Sequence, residues 1–341
     1  MVAPVAGVRL EDRVVPFPAS ISEAARAYLQ RLVGVDGTPV NARYVMPPPE
    51  DREAWARMKV AVDAQYGAAA QARAGELTST VETLALGDTL VHVATPAALA
   101  RPDCAYLDLH GGALVFGGGN ACRVGAQTQA DLHGVRCYGV DYRTPPQHPY
   151  PAALDDCLVA YRHLLSKHAP DRIVVGGRSA GGNLAAAMLL RARDEGLPMP
   201  AALVLLSPQL DLTESGDSFE VNRYVDVVLV GSLMSNHRLY ANGADLADPL
   251  ISPLFGDVSG FPSTFLQSGT RDLFLSSAVR MHRKLRQAGI PAELHVFEGM
   301  PHGGFGGHAP EDDDLADDMA GFVSRHWAKE DEARPGAGHA A

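Results

Sequence analysis

The chain has 341 residues, of which 46% are hydrophobic and 20% charged, enough for one large or two ordinary globular domains with a sizeable core. Its 29 basic and 40 acidic residues give a formal net charge of −11 with no local basic stripe, which excludes nucleic acid as a partner. No apolar run approaches the roughly 20 residues of a membrane-spanning helix, and residues 1–10 lack a basic region leading into an apolar core.

Residues 1–75 read as Ala-rich helices, at 22–32 and 53–65, with no strand. They supply Tyr44, Met46 and Met58 as apolar surface but too little for a core of their own. Strand candidates at 80–84 and 90–93 follow and are expected to open a sheet as an antiparallel ribbon. From residue 103 onward short apolar runs at 104–109, 135–140, 173–175, 202–206, 264–267 and 293–297 alternate with helical patterns. Those patterns fall at 121–133, 152–168, 183–195, 277–288 and 314–327. Such alternation implies right-handed βαβ units and an eight-stranded, mostly parallel sheet buried between helices. Residues 213–247 interrupt the series, read as mostly helical, and are expected to pack with the first segment over the sheet as a lid. The tail at 328–341 is Gly, Ala and charge, and is expected to be disordered. The domain reading is therefore a helical cap segment at 1–75, a catalytic domain at 76–327 carrying the cap insertion, and the tail.

Gly177-Arg178-Ser179-Ala180-Gly181 fits G-x-S-x-G, directly follows a predicted strand and leads into a predicted helix. That context is the nucleophile elbow, a tight strained turn in which flanking glycines make room and the serine hydroxyl stands clear of the sheet. A serine needs a general base and a group to orient that base. Asp272, after the run at 264–267, and His302, after the run at 293–297, follow it in the order acid then histidine. All three then lie at one edge of the sheet, as convergence requires. Alone, the aspartate would read as a turn residue and the histidine as a surface group. Asp248, which precedes Pro249, is assigned to the loop returning from the insertion. After the run at 104–109, His110-Gly111-Gly112-Ala113 can aim main-chain N–H groups at a developing oxyanion. The expected donors are Gly111, Gly112 and Ala180.

The acidic run Glu311-Asp312-Asp313-Asp314 reads as a solvated helix start. There is no HExxH, no Walker sequence and no dinucleotide fingerprint, and the four cysteines show neither a CxxC pair nor metal-like spacing with histidine. Buried free thiols, no cofactor and no metal are expected.

Taken in order, these motifs resemble the bacterial hormone-sensitive-lipase-like (family IV) esterases of the α/β-hydrolase superfamily. The resemblance covers residues near 80 to 327. Besides the loops above it rests on Asp141-Tyr142-Arg143, His148-Pro149-Tyr150-Pro151, Leu206-Ser207-Pro208 and Asp248-Pro249-Leu250. It implies an α/β-hydrolase fold with a helical cap and a cofactor-free serine carboxylesterase, with Ser179 as nucleophile, Asp272 as acid and His302 as base. The expected substrate is a small-molecule ester with a short to medium acyl group. Lactone or amide hydrolysis by the same triad is the alternative, and a non-catalytic receptor for a small molecule is disfavoured by the presence of His302. The chain departs from the family at Ala113, where a third glycine is usual, and at Arg178, where Asp, Glu or Thr is usual; a pairing of Arg178 with a nearby carboxylate is expected. A cytoplasmic location is expected, and the oligomeric state is left open, a homodimer included.

Overall fold

A computed structural model describes residues 14–229 and 231–333, with side chains to 327. In chain order the elements are α1 (Glu23–Arg31), α2 (Arg52–Ala74), β1 (Thr80–Leu86), β2 (Thr89–Thr95), β3 (Ala105–Leu109), α3 (Asn120–His133) and β4 (Arg136–Asp141). They continue with α4 (Ala152–Leu165), β5 (Ile173–Arg178), α5 (Ala180–Asp194), β6 (Ala202–Leu206), α6 (Ser218–Val221) and α7 (Met234–Ala241). The chain ends with β7 (Ser263–Gly269), α8 (Leu275–Gln287), β8 (Ala292–Phe297) and α9 (Pro310–Ala333).

One eight-stranded sheet runs in the order β1-β2-β4-β3-β5-β6-β7-β8. The β1–β2 and β2–β4 pairs are antiparallel and the rest are parallel. The period-two alternation of the strands sorts their side chains between two cores. In β3, Ala105, Leu107 and Leu109 join the larger cluster, which includes residues of α4 and α5, while Tyr106 joins Phe322 and Trp327 of α9 on the other face. In β6, Leu203 and Leu205 go one way and Ala202, Val204 and Leu206 the other. Burial on both faces explains why these strands read as short continuous apolar runs.

Both segments outside the alternation lie against the carboxyl-end loops. Ile21, Ala25 and Leu29 of the N-terminal segment pack with Val227 of the insertion and with Met300 and Phe305 around the His302 loop. Trp55 of α2 packs with Val115 and Phe116, after the His110 loop, and with Leu239 of α7. Met46 and Met58 support that cluster, whereas Tyr44 is exposed. The insertion differs from its expected helical character: among its described residues only α6 and α7 are helical, and turns and bends make up most of the rest. Side chains replace helical main-chain bonding there. Asp226 accepts from the N–H groups of Val228 and Leu229, and Glu214 accepts from that of Leu233. The acidic run also departs from a purely solvated start. Glu311 accepts from the N–H and hydroxyl of Ser22, the N-cap of α1, and Asp312 accepts from the N–H groups of Phe305 and Gly307. The helix α9 continues to Ala333, past the expected start of the tail, and residues 334–341 lie outside the described ones.

A buried carboxylate ties the sheet to the loop after β4. Asp156 of α4, 1% exposed, accepts from Thr89 Oγ1, from the Arg143 N–H and from the Arg143 guanidinium. Its removal strands these donors in a largely dry site. Asp156→Ala is expected to cost about 2–4 kcal/mol of stability, seen as a lower urea midpoint with an unchanged slope. A loss under about 0.5 kcal/mol, the level of an ordinary surface substitution, would contradict this anchoring role.

Candidate active site

The strand β5 ends at Arg178 and α5 begins at Ala180, so the whole reversal is made at Ser179, with φ 57° and ψ −118°. A β-carbon on Gly177 would overlap the Gly181 carbonyl, and one on Gly181 would overlap the Leu109 carbonyl. Only glycine fits at either place. The turn is pinned by Ser179 N–H donating to the Leu206 carbonyl (2.9 Å) and Gln209 N–H donating to the Ser179 carbonyl (3.1 Å).

The structure brings three of the sequence-predicted residues into one chain of hydrogen bonds. His302 Nε2 lies 2.9 Å from Ser179 Oγ, and His302 Nδ1 lies 3.0 Å from Asp272 Oδ1. An ionised carboxylate only accepts, so Nδ1 carries the proton and Nε2 is free to accept from the serine hydroxyl. Asp272 is fully buried, which by itself would raise its pKa. The charge of His302 and bonds from His302, the Phe274 N–H and Ser268 Oγ outweigh that and hold it below the usual carboxylate range. The edge of the His302 ring packs against Phe274 at 4.9 Å. Asp248 is elsewhere: its carboxylate accepts from the Leu250 N–H and its carbonyl from Ile251 and Ser252, which makes it a turn residue.

Gly111 runs beside Ser179, where an added β-carbon would stand 3.4 Å from Ser179 Cβ. Among the described residues nothing accepts from the N–H groups of Gly111 and Gly112, and Ala180 N–H, in the first turn of α5, has no acceptor within its own helix. The loop then turns through three consecutive left-handed residues, Gly112 (φ 133°), Ala113 (φ 51°) and Leu114 (φ 63°). Ala113, in the place of the family's third glycine, therefore holds a conformation costing an L-residue about 1–2 kcal/mol. Two side chains of α2 brace this loop: Lys59 Nζ donates to the Val115 carbonyl (3.0 Å), and Asp63 accepts from the Gly117 N–H (2.8 Å). Arg178 differs from expectation. Its guanidinium donates to the Gly303 carbonyl of the His302 loop (3.0 Å), with the carboxyl groups of Asp312 and Asp108 nearby, and burial lowers its pKa.

Sequence reasoning missed Asp226 and Asn222, both in the insertion. Asn222 Nδ2 donates to the Asp272 carbonyl (2.8 Å). Asp226, 0% exposed, accepts from the Leu273 N–H (2.8 Å), next to the acid, and lies 3.4 Å from the His302 N–H. Burial first, and the Asp272 charge second, push its pKa up to about 6. A polar residue inside an otherwise featureless insertion carries no motif, so only the folded structure reveals this pair.

Asp226 thus holds the main chain beside the acid from within the insertion. Asp226→Ala strands the buried Leu273 N–H next to Asp272 and loosens that loop, so kcat/KM is expected to fall at least about tenfold. A kcat/KM within about twofold of the unaltered protein would show that Asp226 does not position the Asp272 loop.

The comparisons with known proteins agree with this architecture. A family model described as an alpha/beta hydrolase fold matches residues 106–305. An esterase of Acinetobacter venetianus is 34% identical over 195 residues, covering 56% of this chain and 64% of that protein. An acetyl-hydrolase of Streptomyces hygroscopicus is 34% identical over 198 residues, covering 58% and 66%. The chain thus aligns with just under two thirds of the length of either relative. Coverage by structure is wider. The crystal structure of esterase E25 superposes with a TM-score of 0.87 at 36% identity, over 94% of this chain and 99% of that one. An esterase from the bacterial hormone-sensitive lipase family superposes with a TM-score of 0.75 at 30% identity, over 90% and 99%. By its fold, its serine elbow and these matches, the chain belongs to the bacterial hormone-sensitive-lipase-like family of α/β hydrolases.

Proposed function

We propose that this protein is a serine carboxylesterase that hydrolyses small-molecule esters with short to medium acyl groups. The observation that carries the reading is the unbroken Ser179–His302–Asp272 relay, 2.9 and 3.0 Å between partners, beside unengaged N–H groups at Gly111 and Gly112. Ser179 Oγ attacks the ester carbonyl as His302 Nε2 takes its proton, and Asp272 stabilises the imidazolium that forms. The N–H groups of Gly111, Gly112 and Ala180 receive the oxyanion. The imidazolium then protonates the leaving alcohol, and water, activated by the same histidine, releases the acid from the acyl-enzyme.

The N-terminal segment and the insertion act together as a cap. Support comes from their packing on each other and on the loops that carry His302 and Phe116, and from the small access left to Ser179, 7% exposed, and His302, 8% exposed. A relative named acetyl-hydrolase favours the short end of the acyl range. Among the described residues no helix is long and apolar enough to cross a membrane. All four cysteines are free and buried, which suits a reducing cytoplasm.

Ser179→Ala removes only the attacking oxygen, so kcat on p-nitrophenyl acetate is expected to fall at least about a thousandfold with the fold intact. Retention of a tenth of the activity in a pure sample would end the serine-esterase reading. In an acyl series from acetyl to dodecanoyl, each fitted methylene gains about 0.8 kcal/mol until the first that does not fit. The kcat/KM maximum is therefore expected at or below about eight carbons. Activity rising steadily toward long, emulsified esters would contradict the cap.

A further inference from the structure

We propose that His110, Cys122 and Asp141 form a binding site for a borderline divalent cation of the zinc class, set between the His110 loop and the first turn of α3. Sequence spacing offers no metal motif here, because the three residues meet only through sheet register. Leu109 of β3 pairs with Val140 of β4 in parallel, so the next residues, His110 and Asp141, leave the two strands side by side. The helix α3 passes over them, and Gly139 lets it close down: a β-carbon at that position would press on Ala126 and stand 3.5 Å from Cys122 Sγ. One ligand atom from each of the three residues falls within 4.8 Å of the other two.

The histidine keeps one ring nitrogen free. Its Nδ1 donates to the Gly111 carbonyl at 2.8 Å, and a carbonyl can only accept, so the free lone pair is on Nε2. That atom is buried and has no hydrogen-bond partner in a side chain 9% exposed. A far N–H fixed on a main-chain carbonyl is the usual support of a metal-bound imidazole. The carboxylate is fixed as well, with Asp141 Oδ1 accepting from the Gly119 N–H at 2.9 Å. His92 Nε2, 3.5 Å from Asp141 Oδ2, steadies the other oxygen of that carboxylate. A donor set of imidazole, thiolate and carboxylate suits Zn²⁺ and its spectroscopic substitute Co²⁺, and does not suit Mg²⁺ or Ca²⁺. Binding forms the sulfur–metal bond as the Cys122 S–H proton passes to solvent. Because Gly111 follows His110 directly, an ion here tethers the oxyanion loop to α3.

The test is titration of the full chain with Co²⁺, followed by displacement with Zn²⁺. The expected result is one tightly bound Co²⁺ per chain with a near-ultraviolet thiolate-to-cobalt charge-transfer band that Zn²⁺ abolishes. The band is expected to persist in Cys157→Ala and to be lost in Cys122→Ser. Asp141→Asn, which keeps the thiol, is expected to weaken Co²⁺ at least about tenfold, and it gives an independent reading if the Cys122 variant does not fold. No band in the unaltered protein, a band undiminished in Cys122→Ser, or Co²⁺ affinity unchanged in Asp141→Asn would overturn the assignment.

Discussion

The turn at 177–182 is folded so tightly on itself that Gly177 has no room for a β-carbon, and is packed so closely on the end of β3 that Gly181 has none either. Ser179 is left with a φ and ψ that an L-residue rarely adopts, a strain of about 1–3 kcal/mol. The strands on both sides impose it: β3 blocks the turn from relaxing one way, and the bond from Ser179 N–H to the Leu206 carbonyl holds it on β6. The same contact brings Gly111 alongside the serine, so one packing constraint places both Ser179 and the nearest main-chain N–H of the loop after β3. Every other part of the site is carried to that point by longer loops.

Those loops carry charge into a dry region, and the insertion supplies much of what makes that tolerable. Asp272 has no exposed surface, so its ionised form depends on hydrogen bonds from Ser268, the Phe274 N–H and His302. Asn222, donating to the Thr270 and Asp272 carbonyls, and Asp226, accepting from the Leu273 N–H, then hold the main chain around the acid. The insertion is held in turn by the N-terminal segment, since Asn41 Nδ2 donates to the Val228 carbonyl and Ile21, Ala25 and Leu29 pack against Val227. The irregular backbone of the insertion follows from this work. Its side chains are spent on neighbouring loops and its N–H groups on Asp226 and Glu214, so a continuous helix there would leave the acid loop unsupported.

The strands were legible because burial on both faces writes itself as short apolar runs, and 202–206 agrees with β6 residue for residue. The meeting of Ser179, Asp272 and His302 was legible because each follows a strand, and a strand end fixes a direction. What stayed hidden depends on contacts between elements far apart in sequence. Asp226 reads as an ordinary polar residue until the fold sets it against residues 272 and 302, and Asp312 reads as a helix-start carboxylate until it closes on the main chain at 305–309. The meeting of His110, Cys122 and Asp141 needs the pairing of β3 with β4 and the placement of α3 over both, neither of which leaves a periodic trace.

The N-terminal segment looks like a lid in sequence, yet its bonding gives it a second task. Gly112, Ala113 and Leu114 stay left-handed in succession only while something resists their relaxation. Inside the loop, Val115 and Phe116 both donate to the Gly112 carbonyl, which closes the turn but does not fix it in space. The fixing comes from α2, where Lys59 and Asp63, paired with each other at 2.7 Å one helical turn apart, take hold of the Val115 carbonyl and the Gly117 N–H. Trp55, on the same helix, fills the apolar side of the contact against Val115 and Phe116. These bonds sit where water is partly excluded, so they are worth more than surface pairs. The strain in the oxyanion loop is thus offset by a helix more than fifty residues earlier in the chain, and that helix belongs as much to the catalytic machinery's scaffold as to the cover above it.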